Sequence, residues 1–166
     1  MLLQHPVAAS AVGALATLTM DAGALLGSRL GLAGGGPRRT GPDVIGRWVG
    51  YMAKGRFRQR DILLAPPLPY ELPLGLFTHY GIGITLALAY LGGLSRSGIA
   101  PTVLTGLAYG VATTVLAWFL MLPSQGMGWL GAQAPAPAKL TRFSLYNHVI
   151  FGLGLALWTA VLRPLS

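Results

Sequence analysis

The sequence predicts an all-α fold, a four-helix transmembrane bundle with a long basic cytoplasmic loop that contains a short amphipathic helix. Three observations carry this expectation. Four stretches are each long and apolar enough to cross a bilayer, which takes roughly 20 residues. The chain is 53% hydrophobic and only 10% charged, with a mean hydropathy of +0.59, whereas soluble domains average about 25% charged residues. Finally, the basic residues gather in two connections, the asymmetry that marks cytoplasmic loops. On this reading the 166 residues form a single transmembrane domain.

The first span is expected at about residues 7–26. The segment before it, MLLQHPVAAS, has no Lys or Arg. A secretory signal needs a basic start, so the first apolar run is read as a retained helix. A connection of about residues 29–72 follows, with Arg29, Arg38, Arg39, Arg47, Lys54, Arg56, Arg58 and Arg60. Its first part, GLAGGGPRRTG, has linker composition. In PDVIGRWVGYMAKG, the residues Val44, Ile45, Trp48, Val49 and Met52 recur at helical spacing, with Arg47 and Lys54 off that face. Asp43 suits the cap or first turn and Gly55 the stop. Such a basic helix with a Trp fits a membrane interface, and equally fits packing against the bundle's own end. The GRFRQR run that follows is a topology signal and a candidate attractor for anionic lipid headgroups.

Four prolines in APPLPYELP predict an extended lead into the second span, at about 74–94. The third, at about 101–122, has Tyr109 as its one ionisable side chain. The connection at about 123–142, PSQGMGWLGAQAPAPAK and beyond, reads as a surface loop, with a return towards the bundle as the alternative where protein or water covers it, and adds Lys139 and Arg142. The fourth span is expected at about 143–162. Arg96 and Arg163 alone face the other side. This places both termini outside the cytoplasm and makes the net charge of +8 a report of orientation rather than of nucleic-acid binding. Cysteine is absent, which excludes disulfides and thiolate chemistry.

Asp21, His79 and His148 stand out. Each lies six to eight residues from a charge that marks the cytoplasmic boundary: Arg29, Glu71 and Arg142. At 1.5 Å rise per residue this puts all three roughly 9–12 Å deep. Their faces carry small and polar residues: Thr17 and Ala24 with Asp21, Gly75 and Gly83 with His79, Ser144 and Gly152 with His148. Such residues line helix contacts in membranes. An ionisable group inside a span is a site hypothesis by default, and four readings stay open. The trio is an Asp–His tie between helices; or a proton or small-ligand site, assisted by Arg47; or a metal site of two His and one carboxylate; or a haem site with His79 and His148 as axial ligands. In functional terms these are a binding protein for a proton, metal or small ligand, a non-catalytic membrane scaffold or assembly partner, and a haem or metal oxidoreductase subunit. No phosphate loop, nucleophile elbow or zinc-protease helix is present, so the sequence decides neither reaction nor cofactor. The expected partners are the lipid bilayer, anionic lipids and, for alternating access in so small a chain, a homo-oligomer.

TMDAGALL, VIGRWVGYMAKGRF, PPLPYELPLGLFTHYGIGI, LPSQGMGWLGAQAP and NHVIFGLGLAL together resemble a family of small bacterial four-helix membrane proteins, domain of unknown function 2938. The resemblance implies a protein of the bacterial inner membrane and supplies no activity. Its characteristic residues fall on Met20 and Asp21, Gly46 and Arg47, His79 with Tyr80 and Gly81, and His148. The family's loop often carries a histidine after GRF, where this chain has Gln59 and Arg60.

Overall fold

A computed structural model describes residues 5–31 and 41–163. Most of the predicted linker GLAGGGPRRTG lies outside the described residues. Among those described there is no strand. Four helical stretches are long and apolar enough to cross a membrane: Pro6–Arg29, Glu71–Ser97, Val103–Ser124 and Pro137–Leu162. Between the first two lies the shorter Pro42–Met52.

Helix α1 (Pro6–Arg29) extends three residues past the expected end. Helix α2 (Pro42–Met52) starts after Gly41, with Pro42 in its first turn, where proline's missing N–H costs nothing. Asp43 makes no side-chain cap bond and acts as a first-turn acid. Helix α3 (Glu71–Ser97) begins three residues before the expected start. Pro73 is accommodated because the first turn has no N–H to lose. Helix α4 (Val103–Leu116) opens on a reciprocal cap. The Thr105 amide donates to the Thr102 hydroxyl at 3.1 Å and the Thr102 amide to the Thr105 hydroxyl at 2.9 Å.

The third apolar stretch is not one regular helix. A π-helical turn, Ala117–Met121, joins α4 to the short α5 (Leu122–Ser124). Pro123 has no N–H to give the Phe119 carbonyl, and the widened turn just before it absorbs the missing bond. Around it Thr114, Ala117, Leu122 and Gln125 are buried. Helix α6 (Pro137–Leu162) begins six residues before the predicted Phe143. Pro137 stands at its first position, so the proline that suggested loop instead starts the helix.

The chain forms two compact units. The first takes the described residues of Met1–Leu25, Tyr80–Thr113 and the described residues of Tyr146–Ser166. Its core gathers Val12, Ala16, Ala87, Leu91, Phe151 and Leu155. Small residues set how closely its helices approach. A Cβ on Gly13 would fall 2.6 Å from the Ile84 Cα, one on Gly154 2.9 Å from the Ala16 Cα, and one on Gly152 3.2 Å from the Gly110 Cα. Gly106 and Gly110, one helical turn apart on α4, form a contact face turned to Gly152 of α6.

The second unit takes the described residues of Leu26–His79 together with Thr114–Leu145. Val44, Trp48 and Tyr51 of α2 enter its core with Ile62, Leu122, Met127 and Leu140. Packing of α2 against the protein, one of its two compatible expectations, is observed. A Cβ on Gly46 would overlap the Glu71 carbonyl, and one on Gly75 the Pro42 carbonyl, so α2 and the start of α3 meet backbone to backbone. The predicted surface loop after Ser124 is also partly interior, since Gln125 is 1% and Met127 4% exposed.

Gly13→Ala is expected to lower the thermal midpoint of detergent-solubilised protein, because overpacking a tight contact costs about 1–3 kcal/mol. Gly81→Ala, where nothing lies within 4 Å of the added carbon, should leave it unchanged or raise it by up to about 1 kcal/mol of helix propensity. Equal losses in the two variants would contradict the close approach of α1 and α3.

Candidate functional site

Asp21 lies five residues past Ala16 on α1, at the flank of the buried stripe formed by Val12, Gly13, Ala16 and Thr17. Its Oδ2 accepts a hydrogen bond from the Tyr80 hydroxyl of α3 at 3.1 Å. Both belong to the first unit. Nearby, the Tyr146 hydroxyl of α6 donates to the Gly23 carbonyl at 3.0 Å, and the Gly23 Cα faces Ile150. The polar groups of α1 are therefore drawn to α3 and α6 by aromatic hydroxyls that reach across from those helices.

His148 also belongs to the first unit. Its Nδ1 stands 2.8 Å from the Thr113 hydroxyl of α4. The same hydroxyl donates to the Gly110 carbonyl at 2.6 Å, and which atom donates in its contact with the ring follows the imidazole tautomer.

His79 and Arg47 fall in the second unit. His79 is half-buried on α3, on the helical face that also carries Gly75. Arg47 differs from expectation. It was placed off the apolar face of α2, as a loop cation assisting a ligand site, yet it is 9% exposed. Its Nε and Nη2 donate to the two Glu71 carboxylate oxygens, each at 2.8 Å. Nη1 donates to the carbonyls of Ala65 at 3.2 Å and Ile62 at 3.5 Å. Glu71 also accepts from the Leu68 amide at 2.9 Å. The hydrogen-bonded Glu71 carboxylate raises the Arg47 pKa above its ordinary value, so the guanidinium stays charged throughout the accessible pH range. This planar, two-pronged geometry is the one Arg makes and Lys does not. Arg47 is thus committed to holding the proline-rich segment against α2.

Among the described residues no group of three or more His, Cys, Asp or Glu side chains is placed to hold a metal ion. The metal reading of Asp21, His79 and His148 therefore gains nothing from the geometry. Two partners were missed by sequence reasoning. Neither Tyr80 nor Thr113 is assigned a hydrogen-bond partner by the sequence. Nothing in spacing pairs either with its partner, because each bond joins helices far apart in sequence. Tyr80 did carry one signal, its place in the His-Tyr-Gly triplet.

Glu71→Ala should destabilise the second unit by about 3–5 kcal/mol, the usual loss when one member of a buried ion pair is removed; the two side chains are only 10% and 14% exposed. Limited trypsin digestion should cut faster at Lys54–Arg60 in this variant and in Arg47→Lys. Unchanged cleavage in both would show that the pair does not anchor the segment.

A family model described as a protein of unknown function (DUF2938) matches residues 10–162. No curated protein and no solved structure matches the chain. The matched region takes in α1 from Ser10 onward, the other three long helices, α2, Asp21 with Tyr80, His148 with Thr113 and Arg47 with Glu71, and the chain belongs to the DUF2938 family.

Proposed function

We propose that the protein is a four-span protein of the bacterial inner membrane, and that Asp21 with Tyr80 is the polar centre of a site for a proton or small ligand reached from the cytoplasm. The membrane part of this reading is supported by the outward surface of the long helices. Only 28% of the apolar window of the first three, and 33% of the fourth, is buried within the protein. Phe77 and Leu104 are 80% and 76% exposed. Helices apolar all round need lipid or protein about them. The excess of basic residues in two connections supports an orientation with both termini outside the cytoplasm.

The observation that carries the site is the redundancy of the Asp21 charge for packing. Helices α1 and α3 already meet through Gly13 against Ile84 and Gly83 against Thr17. Their docking needs no carboxylate. A charge within a span costs about 2.5–3.5 kcal/mol at the centre and less away from it, and an ionisable group there is a functional-site hypothesis by default. The acid on α1 is therefore read by what its charge does. The second reading is a non-catalytic scaffold or assembly partner. It draws on the number of polar ties between helices of the first unit, such as Trp158 Nε1 to the Thr19 hydroxyl at 2.9 Å and the Tyr109 hydroxyl to the Leu86 carbonyl at 2.8 Å.

Asp21→Asn separates the two. Asn keeps the shape and an oxygen for the Tyr80 hydroxyl but has no charge. In proteoliposomes carrying a pH-sensitive dye, the wild type should take up or pass protons and Asp21→Asn should lose most of that response while keeping its thermal midpoint. Proton responses that match in the two proteins would remove the site reading, and a fall in stability alone for Asp21→Ala would favour the scaffold.

A further inference from the structure

Just past α2 the chain turns at Gly55, whose φ of +77° suits glycine, and runs through Arg56, Phe57, Arg58, Gln59 and Arg60. Phe57 is 65% exposed, and Lys54, Arg56, Arg58 and Arg60 are exposed around it. The one acid close in sequence, Asp61, accepts from the Leu63 amide at 2.9 Å. Four cations, one local acid and an outward phenyl ring make this a basic surface with an apolar tip.

What separates it from an ordinary solvated charge run is that it is fixed in place. Gln59 is 4% exposed. Its Nε2 donates to the Arg56 carbonyl at 3.0 Å, and its Oε1 accepts from Arg56 Nη2 at 3.3 Å. The Arg56 guanidinium lies 4.7 Å from the Tyr51 ring centroid, and the Arg56 amide donates to the Tyr51 carbonyl at 2.9 Å. Two rungs then pin the backbone to the end of α5. The Gln59 amide donates to the Ser124 carbonyl at 2.8 Å, and the Ile62 amide to the Gln125 carbonyl at 3.0 Å. Gly126, at φ +87°, sits against the Arg60 carbonyl where any Cβ would collide.

We propose that Lys54–Arg60 is a preformed finger that docks on the phosphate headgroups of anionic phospholipids, with Phe57 at the headgroup–acyl boundary. The inference rests on the membrane reading above and adds a lipid ligand to it. Ser124 closes the third membrane-crossing stretch, so a segment bonded to Ser124 stands at the level where hydrocarbon gives way to headgroups. That layer is roughly 5–7 Å deep on each side, within reach of an Arg side chain. Cations suit phosphate oxygens, and an aromatic tip suits the interface. Because the backbone is already ordered, binding loses little conformational entropy.

The chain has no cysteine, so a nitroxide can be placed at one position without background. Phe57→Cys, spin-labelled in nanodiscs, reports depth as the ratio of oxygen to nickel accessibility. Leu18→Cys, on an exposed apolar position of α1, reports separately whether that helix is in lipid. With phosphatidylglycerol present, the label at 57 should be shielded from nickel. In pure phosphatidylcholine, or with Arg58→Gln and Arg60→Gln added, it should return to water. Each basic residue near an anionic surface is worth about fivefold, so losing two should lower the inserted-to-free ratio about thirtyfold. A label at 57 that stays in water in both lipids, or is shielded equally in both, overturns the finger while a lipid-embedded label at 18 leaves the membrane reading standing. If the label at 18 is itself in water, the membrane reading fails and the finger fails with it.

Discussion

Close backbone approach at small residues is the constraint on which the rest of the first unit depends. Helices that are apolar all round gain little from one apolar neighbour over another, so close packing and polar bonds decide how they meet. Gly13, Gly154 and the Gly106–Gly110–Gly152 group let main chains touch. At that separation, side chains as short as Thr113 reach His148, and a tyrosine reaches Asp21 or a backbone carbonyl. Widen the contact by a methyl group and each of these bonds lengthens with it. The polar pairs are a consequence of the glycine contacts as much as a cause of helix docking.

The second unit is organised differently. Its short helix meets α3 through Gly46 and Gly75, and one cation ties much of its proline-rich segment. Arg47 serves four acceptors: both Glu71 oxygens and the Ile62 and Ala65 carbonyls. Prolines 66, 67 and 69 lack N–H groups, so this stretch has few donors with which to build its own structure. Donors brought from α2 supply what it lacks.

Length and hydropathy made the four long helices legible in the sequence, and period 3.6 made α2 legible, because each reflects a property of consecutive residues. The small residues read beside Asp21 and His148 do mark close helix contacts, Thr17 against Gly83 and Gly152 against Gly110. Helix ends were less legible. Pro73 and Pro137 look like breakers in a string, yet a first turn tolerates them. The role of Arg47 was illegible for another reason. On a helical wheel it lies off the apolar face, and only the fold shows that Glu71, 24 residues away, turns that position inward. The Tyr80 and Thr113 bonds were hidden in the same way, since they join residues 59 and 35 positions apart from their partners.

The π-helical turn at Ala117–Met121 also acts as a phase shift. In an unbroken α-helix the buried face through Thr114 and Ala117 would pass next to Met121. Instead the next buried side chain is Leu122, as if one residue had been inserted and rotated everything after it by about 100°. Deleting one residue there would restore a regular helix and yet turn the wrong side chains inward. Ser124 and Gln125, whose carbonyls anchor the basic segment, would present their backbones one position out of register. The local cost of an irregular turn is thus bound to the placement of a segment more than sixty residues earlier in the chain.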